Sequence, residues 1–466
     1  MFRILTLWLL ILLSWQEVGA RAWTSHSGVE IEADLVWFKD GTIRLRKADG
    51  QIIQTSVNNL AQTDLEYLKS KDHLDDTFGS DTANALNSVL GFQLFAGRAL
   101  WQESEHDVAD RLSWRAVSKT DYMASYQMRR GRDRNRRSHN EELAANDKSA
   151  RTAFLYAESG APDYFLVMYN NIEDVREEPE SRQHELELKD QLDAFINDTS
   201  KHLQETFTEL LGEPKLQAFY NGRPSSHRML RWDFCDVAFL LSEDKEFGLF
   251  LYIHRAEFAD RSGQMAHSHE ALESKFLKNV ETRSNQDVVV RNIPMVNQGD
   301  HGFCVPATFE RYLRYFGIPA DMHTLAMLGE TKMTGGTRVN KLRNEVARYL
   351  DQQGFQMRRL SSTLTTERIA DYIDRGVPLI WTLSSSKIFN NFANSYTRDR
   401  QHGKTDFTLP DKESLIYPHV AMITGYNATE ESIAISDSWG PSYEERWIPI
   451  ELARQYDVNG LFVIEF

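Results

Sequence analysis

The sequence predicts a multidomain α+β protein, with a small β-barrel at the N-terminus, an α+β middle domain and a C-terminal α+β domain. Three observations predict it. The chain has 466 residues, too many for one ordinary domain, so two or three units are expected. Short apolar strands punctuated by Asp-Gly turns fill its beginning. Helical and antiparallel-strand patterns are mixed through the remainder. A composition of 41% hydrophobic and 26% charged residues is that of a soluble globular chain. The formal net charge of -15, from 53 basic against 68 acidic residues, argues against a nucleic-acid partner, which wants a basic footprint.

Residues 1–22 stand apart and read as a signal peptide. Arg3 gives a small positive start, Leu5 to Trp15 is apolar, and Val18-Gly19-Ala20 or Ala20-Arg21-Ala22 offers small residues for cleavage. The apolar run falls short of the roughly 20 residues that cross a bilayer, and no later segment approaches that length. A secreted or periplasmic protein is therefore expected, with no membrane span after signal cleavage. An uncleaved N-terminal anchor is the other reading. No Cys follows the run, so no lipid anchor is expected there. Cys235 and Cys304 are the two cysteines of the chain. So few do not make a disulfide scaffold, although a Cys235–Cys304 pair would compete with a reactive Cys304.

The first block, 23–71, carries strand patterns at Ile31 to Phe38, Thr42 to Lys47 and Gln51 to Ser56, with turns at Asp40-Gly41 and Asp49-Gly50. Asn59 to Lys69 then reads as a short helical or turn segment. The spacing fits a small five-stranded barrel. Trp23-Thr24-Ser25, Glu30 to Val36, Gly41 to Gly50 and Leu60 to Leu68 together resemble an SH3-like homology domain, first named in a yeast actin-assembly adaptor and recurrent in secreted bacterial proteins. The resemblance implies a bacterial setting. It leaves open whether the module has a protein ligand or is a structural appendage.

The middle block, 75–285, reads as α+β. Thr82 to Glu103 is expected to be a helix with Leu86, Leu90, Leu94 and Leu100 on one face. Ala153 to Tyr156 and Tyr164 to Tyr169 read as strands about a Gly160-Ala161-Pro162 turn. Leu188 to Leu211 is strongly helical, its face marked by Leu192, Phe195, Ile196, Leu203, Phe207 and Leu210, and Gly212 stops it. Phe234 to Leu241 and Phe247 to His254 read as a hairpin over Ser242 to Glu246. Cys235, within a strand-like run, reads as a buried, inert thiol. The basic run Arg129 to Arg137 reads as a solvated loop rather than an anionic-polymer site. Nothing in the sequence assigns this block a role; a cover over a catalytic cleft, like a propeptide, is one reading.

The third block, 287–466, can bury its own core and carries the chemistry. A Gly-rich stretch, Gln298-Gly299-Asp300-His301-Gly302-Phe303, leads into Cys304, and Pro306 to Phe316 reads as a helix ended by Gly317. Cys304 then stands at a helix N-terminus, where the positive end of the dipole stabilises a thiolate. His419 opens an apolar strand that runs to Gly425. Asp437 ends another, Ser432 to Ser436. If the two strands pair, the carboxylate holds the imidazole and the imidazole takes the thiol proton. His301 reads as cleft rim rather than base. Neither a zinc spacing nor a phosphate-cradling Gly loop is present, so no metal or other cofactor is expected.

The order Gln298, Cys304, His419, Asp437 resembles papain-like cysteine peptidases, and more narrowly the bacteriocin-processing (double-glycine) peptidase family, over residues 290–466. Thr334-Gly335-Gly336-Thr337 and the helix-to-strand passage Ile369 to Trp381 match as well. The resemblance implies a peptide or protein substrate and amide hydrolysis. It also implies Cys304 as nucleophile, His419 as general acid/base, Asp437 as orienter and Gln298 as oxyanion donor. A Gly commonly follows the Cys in that family, whereas Val305 stands here; it adds bulk at the helix start and bears on substrate range. A catalytically inactive adaptor on the same fold, and an amidase or transferase, are the competing expectations.

Overall fold

The computed structural model describes residues 20–39, 41–128, 148–171, 182–218, 228–244, 248–263, 268–299, 302–331, 336–360, 364–404, 407–411 and 415–465. The basic run 129–137, His301, Thr334 and Gly335 lie outside them, as does nearly all of the expected signal peptide. Three antiparallel sheets are present among the described residues.

The first sheet contains β1 (Arg21–Thr24), β2 (Glu30–Lys39), β3 (Thr42–Arg46) and β4 (Ile52–Ser56), paired in chain order. Gly41 and Gly50 take the left-handed φ (71° and 82°) that their turns demand. The expected fifth strand is reduced to a single bridge, Ser25 with Leu60, because the chain enters helix Gln62–Lys69 immediately afterwards. Trp23, Ala33, Leu35, Ile43, Leu45, Leu60 and Leu68 fill the small core.

The second sheet runs β5-β6-β7-β8-β12-β11-β10-β9. Its strands are β5 (Arg115–Lys119), β6 (Met123–Gln127), β7 (Thr152–Glu158), β8 (Ala161–Asn171), β9 (Lys215–Ala218), β10 (Arg228–Phe234), β11 (Val237–Asp244) and β12 (Gly248–Arg255). The central strands read as continuous apolar runs because both faces are covered. Leu155, Phe165, Val167, Phe239, Leu251 and Ile253 point to the long helix Arg182–Leu211, meeting Leu192, Ile196, Leu203 and Phe207. The alternate residues Tyr156, Tyr164, Leu166, Leu240, Phe250 and Tyr252 point the other way, into a core shared with the C-terminal block.

Two expectations are corrected here. The helix expected over Thr82–Glu103 spans Asp81–Leu90, stopped by Gly91 in the left-handed conformation (φ 77°). Leu94 and Leu100 are nonetheless buried beyond it. Cys235 lies in the tight turn between β10 and β11, with φ 53°, not in a strand. It is buried, and burial pushes its thiol well above the ordinary range.

The third sheet runs β13-β14-β17-β16-β20-β15, with β18 and β19 continuing from β17. Its strands are β13 (Val280–Thr282), β14 (Val288–Val290), β15 (Gln356–Leu360), β16 (Leu379–Ser385), β17 (Tyr417–Asn427), β18 (Ser432–Ser436), β19 (Arg446–Pro449) and β20 (Asp457–Glu465). Helix Cys304–Tyr315 packs on β17, and Gly317 (φ 75°) turns the chain after it.

One apolar cluster spans the second and third sheets, so the core of the C-terminal block is continuous with residues of the middle block. Polar contacts follow the same boundary. The Tyr164 hydroxyl donates to the Ala320 carbonyl at 2.8 Å, and Arg314 stacks over Tyr156 at 4.8 Å. The Met295 N–H donates to Ser118 Oγ at 3.0 Å. The barrel is fixed in turn to the end of the long helix. Arg44 and Arg46 donate to the carbonyls of Leu211 and Leu210, at 2.8 and 2.7 Å. Cations at a helix C-terminus satisfy its last carbonyls and its dipole.

Candidate active site

Cys304 is the first residue of its helix, so the thiol lies where the backbone N–H groups have no intrahelical acceptor. Gly302, just before it, passes against Gly336; a Cβ on Gly302 would come within 2.9 Å of the Gly336 Cα. One turn into the helix, the Thr308 hydroxyl lies 3.3 Å from the Val420 carbonyl and 3.2 Å from Ser438 Oγ. The helix that presents Cys304 is thereby pinned both to the strand bearing His419 and to the turn bearing Asp437. Arg311, fully buried, adds a second tie by donating to the Pro294 carbonyl at 2.9 Å and to Ser436 Oγ at 2.6 Å.

The two strands expected to pair do so, Ile423 opposite Ile435 and Met422 opposite Ser436. His419 Nε2 donates to Asp437 Oδ1 at 2.7 Å. Its other ring nitrogen is left for Cys304, which lines the same cleft and whose hydrogen bonding and charge favour the imidazolium. His419 is 5% exposed and Asp437 1%. Burial opposes the imidazolium, but the hydrogen bonds with Asp437 and Cys304 outweigh it and raise the His419 pKa to about 9. Burial likewise opposes the Asp437 carboxylate. The Arg446 charge and the His419 hydrogen bond hold it below the usual carboxylate range.

Two further residues, Arg446 and Trp439, complete the surroundings of the His419–Asp437 pair. Arg446, on β19, donates from Nε and Nη2 to Asp437 Oδ2 at 3.1 and 2.5 Å. Asn390 and Asn394 accept its remaining bonds, each at 3.1 Å. Trp439 stacks on the His419 ring with centroids 4.7 Å apart and an interplanar angle of 22°, and so covers the His–Asp pair. Trp439 follows two residues after Asp437, so its position was readable. The partnership with Arg446 requires knowing that β18 and β19 form a hairpin.

Gln298 is partly buried, and its backbone N–H donates to the Ser438 carbonyl at 2.8 Å, which tethers it beside the Asp437 turn. The two cysteines are unpaired with each other; Cys304 is partly exposed and Cys235 buried. Cys304 and His419 open into a cleft of about 590 Å³, also lined by Val305, Gly336, Thr382 and Gly460. Gly460 is required there, because a Cβ would overlap the Thr382 side chain. None of the described lining residues comes from the middle block, so among the described residues that block does not cover the cleft.

A helix carrying a thiol at its start, packed on an antiparallel sheet that carries the His and Asp, is the architecture of a papain-like peptidase domain. Residues 290–459 match the model of the Peptidase_C39 like family, and residues 16–75 match that of SLA1 homology domain 1. Among solved structures, the chain is similar to xylellain, a cysteine protease from Xylella fastidiosa. The likeness is 14% in sequence identity with a TM-score of 0.27, over 43% of this chain and 91% of that one. No curated protein matches the chain. No described helix is long and apolar enough to cross a membrane.

Proposed function

We propose that the chain is a secreted cysteine peptidase whose site is Cys304, His419, Asp437 and Gln298. The observation that carries the proposal is the Cys304–His419–Asp437 relay at the mouth of a cleft. Cys304 attacks the substrate carbonyl as a thiolate while His419 holds the proton. The oxyanion is met by the Cys304 backbone N–H and the Gln298 side-chain amide. As the C–N bond breaks, His419 passes its proton to the leaving amine, and the acyl group remains on sulfur as a thioester. His419 then takes a proton from water, which attacks the thioester, releases a carboxylic acid and restores the thiol. Arg446 keeps Asp437 ionised and in place throughout. Residues 1–22 direct export, and the N-terminal sheet, hydrogen-bonded through Arg44 and Arg46 to the end of the long helix, offers a surface for a protein ligand.

The test is peptide hydrolysis by the full chain and by C304A. Turnover by the wild type that vanishes in C304A supports the proposal. Equal hydrolysis by both would refute Cys304 as nucleophile. A folded wild type inert toward every peptide would leave the adaptor reading.

A further inference from the structure

The cleft extends beyond the reacting groups to two arginines that hydrolysis itself does not use. Arg343 and Arg359 line it, and its described lining contains neither Asp nor Glu, in a chain of net charge -15. Arg359 on β15 stands directly opposite Phe462 on β20, so the two side chains share a face of the sheet. Arg343, from helix Val339–Gln352, holds its guanidinium 5.4 Å from the centre of the same Phe462 ring. Phe462 is 4% exposed, which fixes this platform. Arg343 makes no ion pair among the described residues; its polar partner there is the adjacent Asn344, at 3.4 Å.

We propose that this end of the cleft is a subsite for a carboxylate on the substrate, so that the peptidase selects acidic peptides. The inference rests on the peptidase reading and names its substrate class. A guanidinium fork matches a carboxylate in shape and charge. The strand order β17-β16-β20-β15 and its register set the position: Arg359 lies three inter-strand steps from the His419 strand and, through Phe462 and Ile380, level with Met422, three residues along from His419. At about 4.8 Å per step and about 3.4 Å per residue that is about 14 Å across and about 10 Å along, or about 17 Å, and an extended peptide advances about 3.3 Å per residue. The carboxylate therefore belongs roughly five residues from the bond that is cut. An Asp or Glu side chain and the peptide's own C-terminal carboxylate supply the same chemistry.

The test uses the full chain and a peptide library randomised on both sides of a central segment, with products sequenced by mass spectrometry. The expected result is enrichment of an acidic residue, or of the free C-terminus, about five positions from the cut. Replacing that Glu by Gln should lower kcat/KM about five- to ten-fold, the size of one charge-assisted hydrogen bond at a part-exposed site. Amidated against free C-termini separates the two sources of carboxylate. In the R343Q/R359Q double variant, with its fold checked by thermal melting, the Glu-to-Gln ratio should fall close to one. Cleavage without acidic bias, or a bias that survives in the double variant, overturns the subsite alone. Absence of any cleavage overturns the peptidase reading, and the subsite with it.

Discussion

At the residue scale, the site is a chain of three charges held in register. Arg446 fixes Asp437, Asp437 fixes the His419 ring, and His419 meets the sulfur. The His419 pKa is raised above the ordinary value of 6.5, to about 9. The bound proton therefore favours the folded state fully below about pH 6.5, and that contribution is lost as pH rises through about 9. Melting temperature should fall from pH 7 to pH 9.5 in the wild type and change less in H419Q. On the peptidase reading, kcat/KM should decline on an alkaline limb near pH 9. In D437N that limb should move to lower pH and the rate should drop by about two to four orders of magnitude. An unmoved limb in D437N would separate Asp437 from the imidazole. The relay's three side chains were legible because each sits at a boundary the sequence marks: a helix start, a strand start and a strand end. Arg446 was not, since its role depends on a hairpin whose register only the fold reveals.

At the scale of elements, what brings Cys304 to His419 is the seating of one helix on two strands. Thr308 lies one turn beyond the thiol and contacts both the Val420 carbonyl and Ser438. Thr308→Val keeps the volume and removes the hydroxyl. It should cost about 1 kcal/mol of stability by urea titration and roughly ten-fold in activity through misplacement. An activity loss no greater than the stability loss explains would contradict that positioning role. Gly302→Ala tests the cleft mouth, because the added Cβ meets backbone at Gly336 rather than a yielding side chain. Activity should fall at least ten-fold, about 1.4 kcal/mol, with little change in melting temperature. Sequence punctuation located the helix at Cys304 and the long helix that ends before Gly212. It overran at Gly91, because apolar residues at helical spacing continue past that glycine, where Leu94 and Leu100 are buried in irregular chain.

At the scale of the molecule, the second sheet forms a wall of the C-terminal papain-like domain. Its residues Tyr156, Tyr164, Leu166, Leu240 and Tyr252 share one core with Val305, Phe309, Tyr312 and Phe316. The segment 287–466 expressed alone should therefore expose a broad apolar face and aggregate. A soluble monomer with a cooperative melt would show that the wall is dispensable. That sharing was invisible in the sequence, because an apolar run reports burial on both faces but not what lies against each. The barrel's attachment was equally hidden. Arg44 and Arg46 read as ordinary strand residues until the helix end they cap is in view. R44A/R46A should destabilise by about 1–2 kcal/mol and make the barrel cleavable in limited proteolysis. A barrel as resistant as in the wild type would count against that anchorage.

The most direct test of the account is the rate at which iodoacetamide modifies Cys304 in the native protein at pH 6, read by mass spectrometry. A thiol whose proton is held by His419 should react quickly and stoichiometrically, with buried Cys235 untouched, and H419A should slow the reaction at least ten-fold. A Cys304 that reacts no faster than a simple thiol, or equally fast in the wild type and H419A, would contradict it.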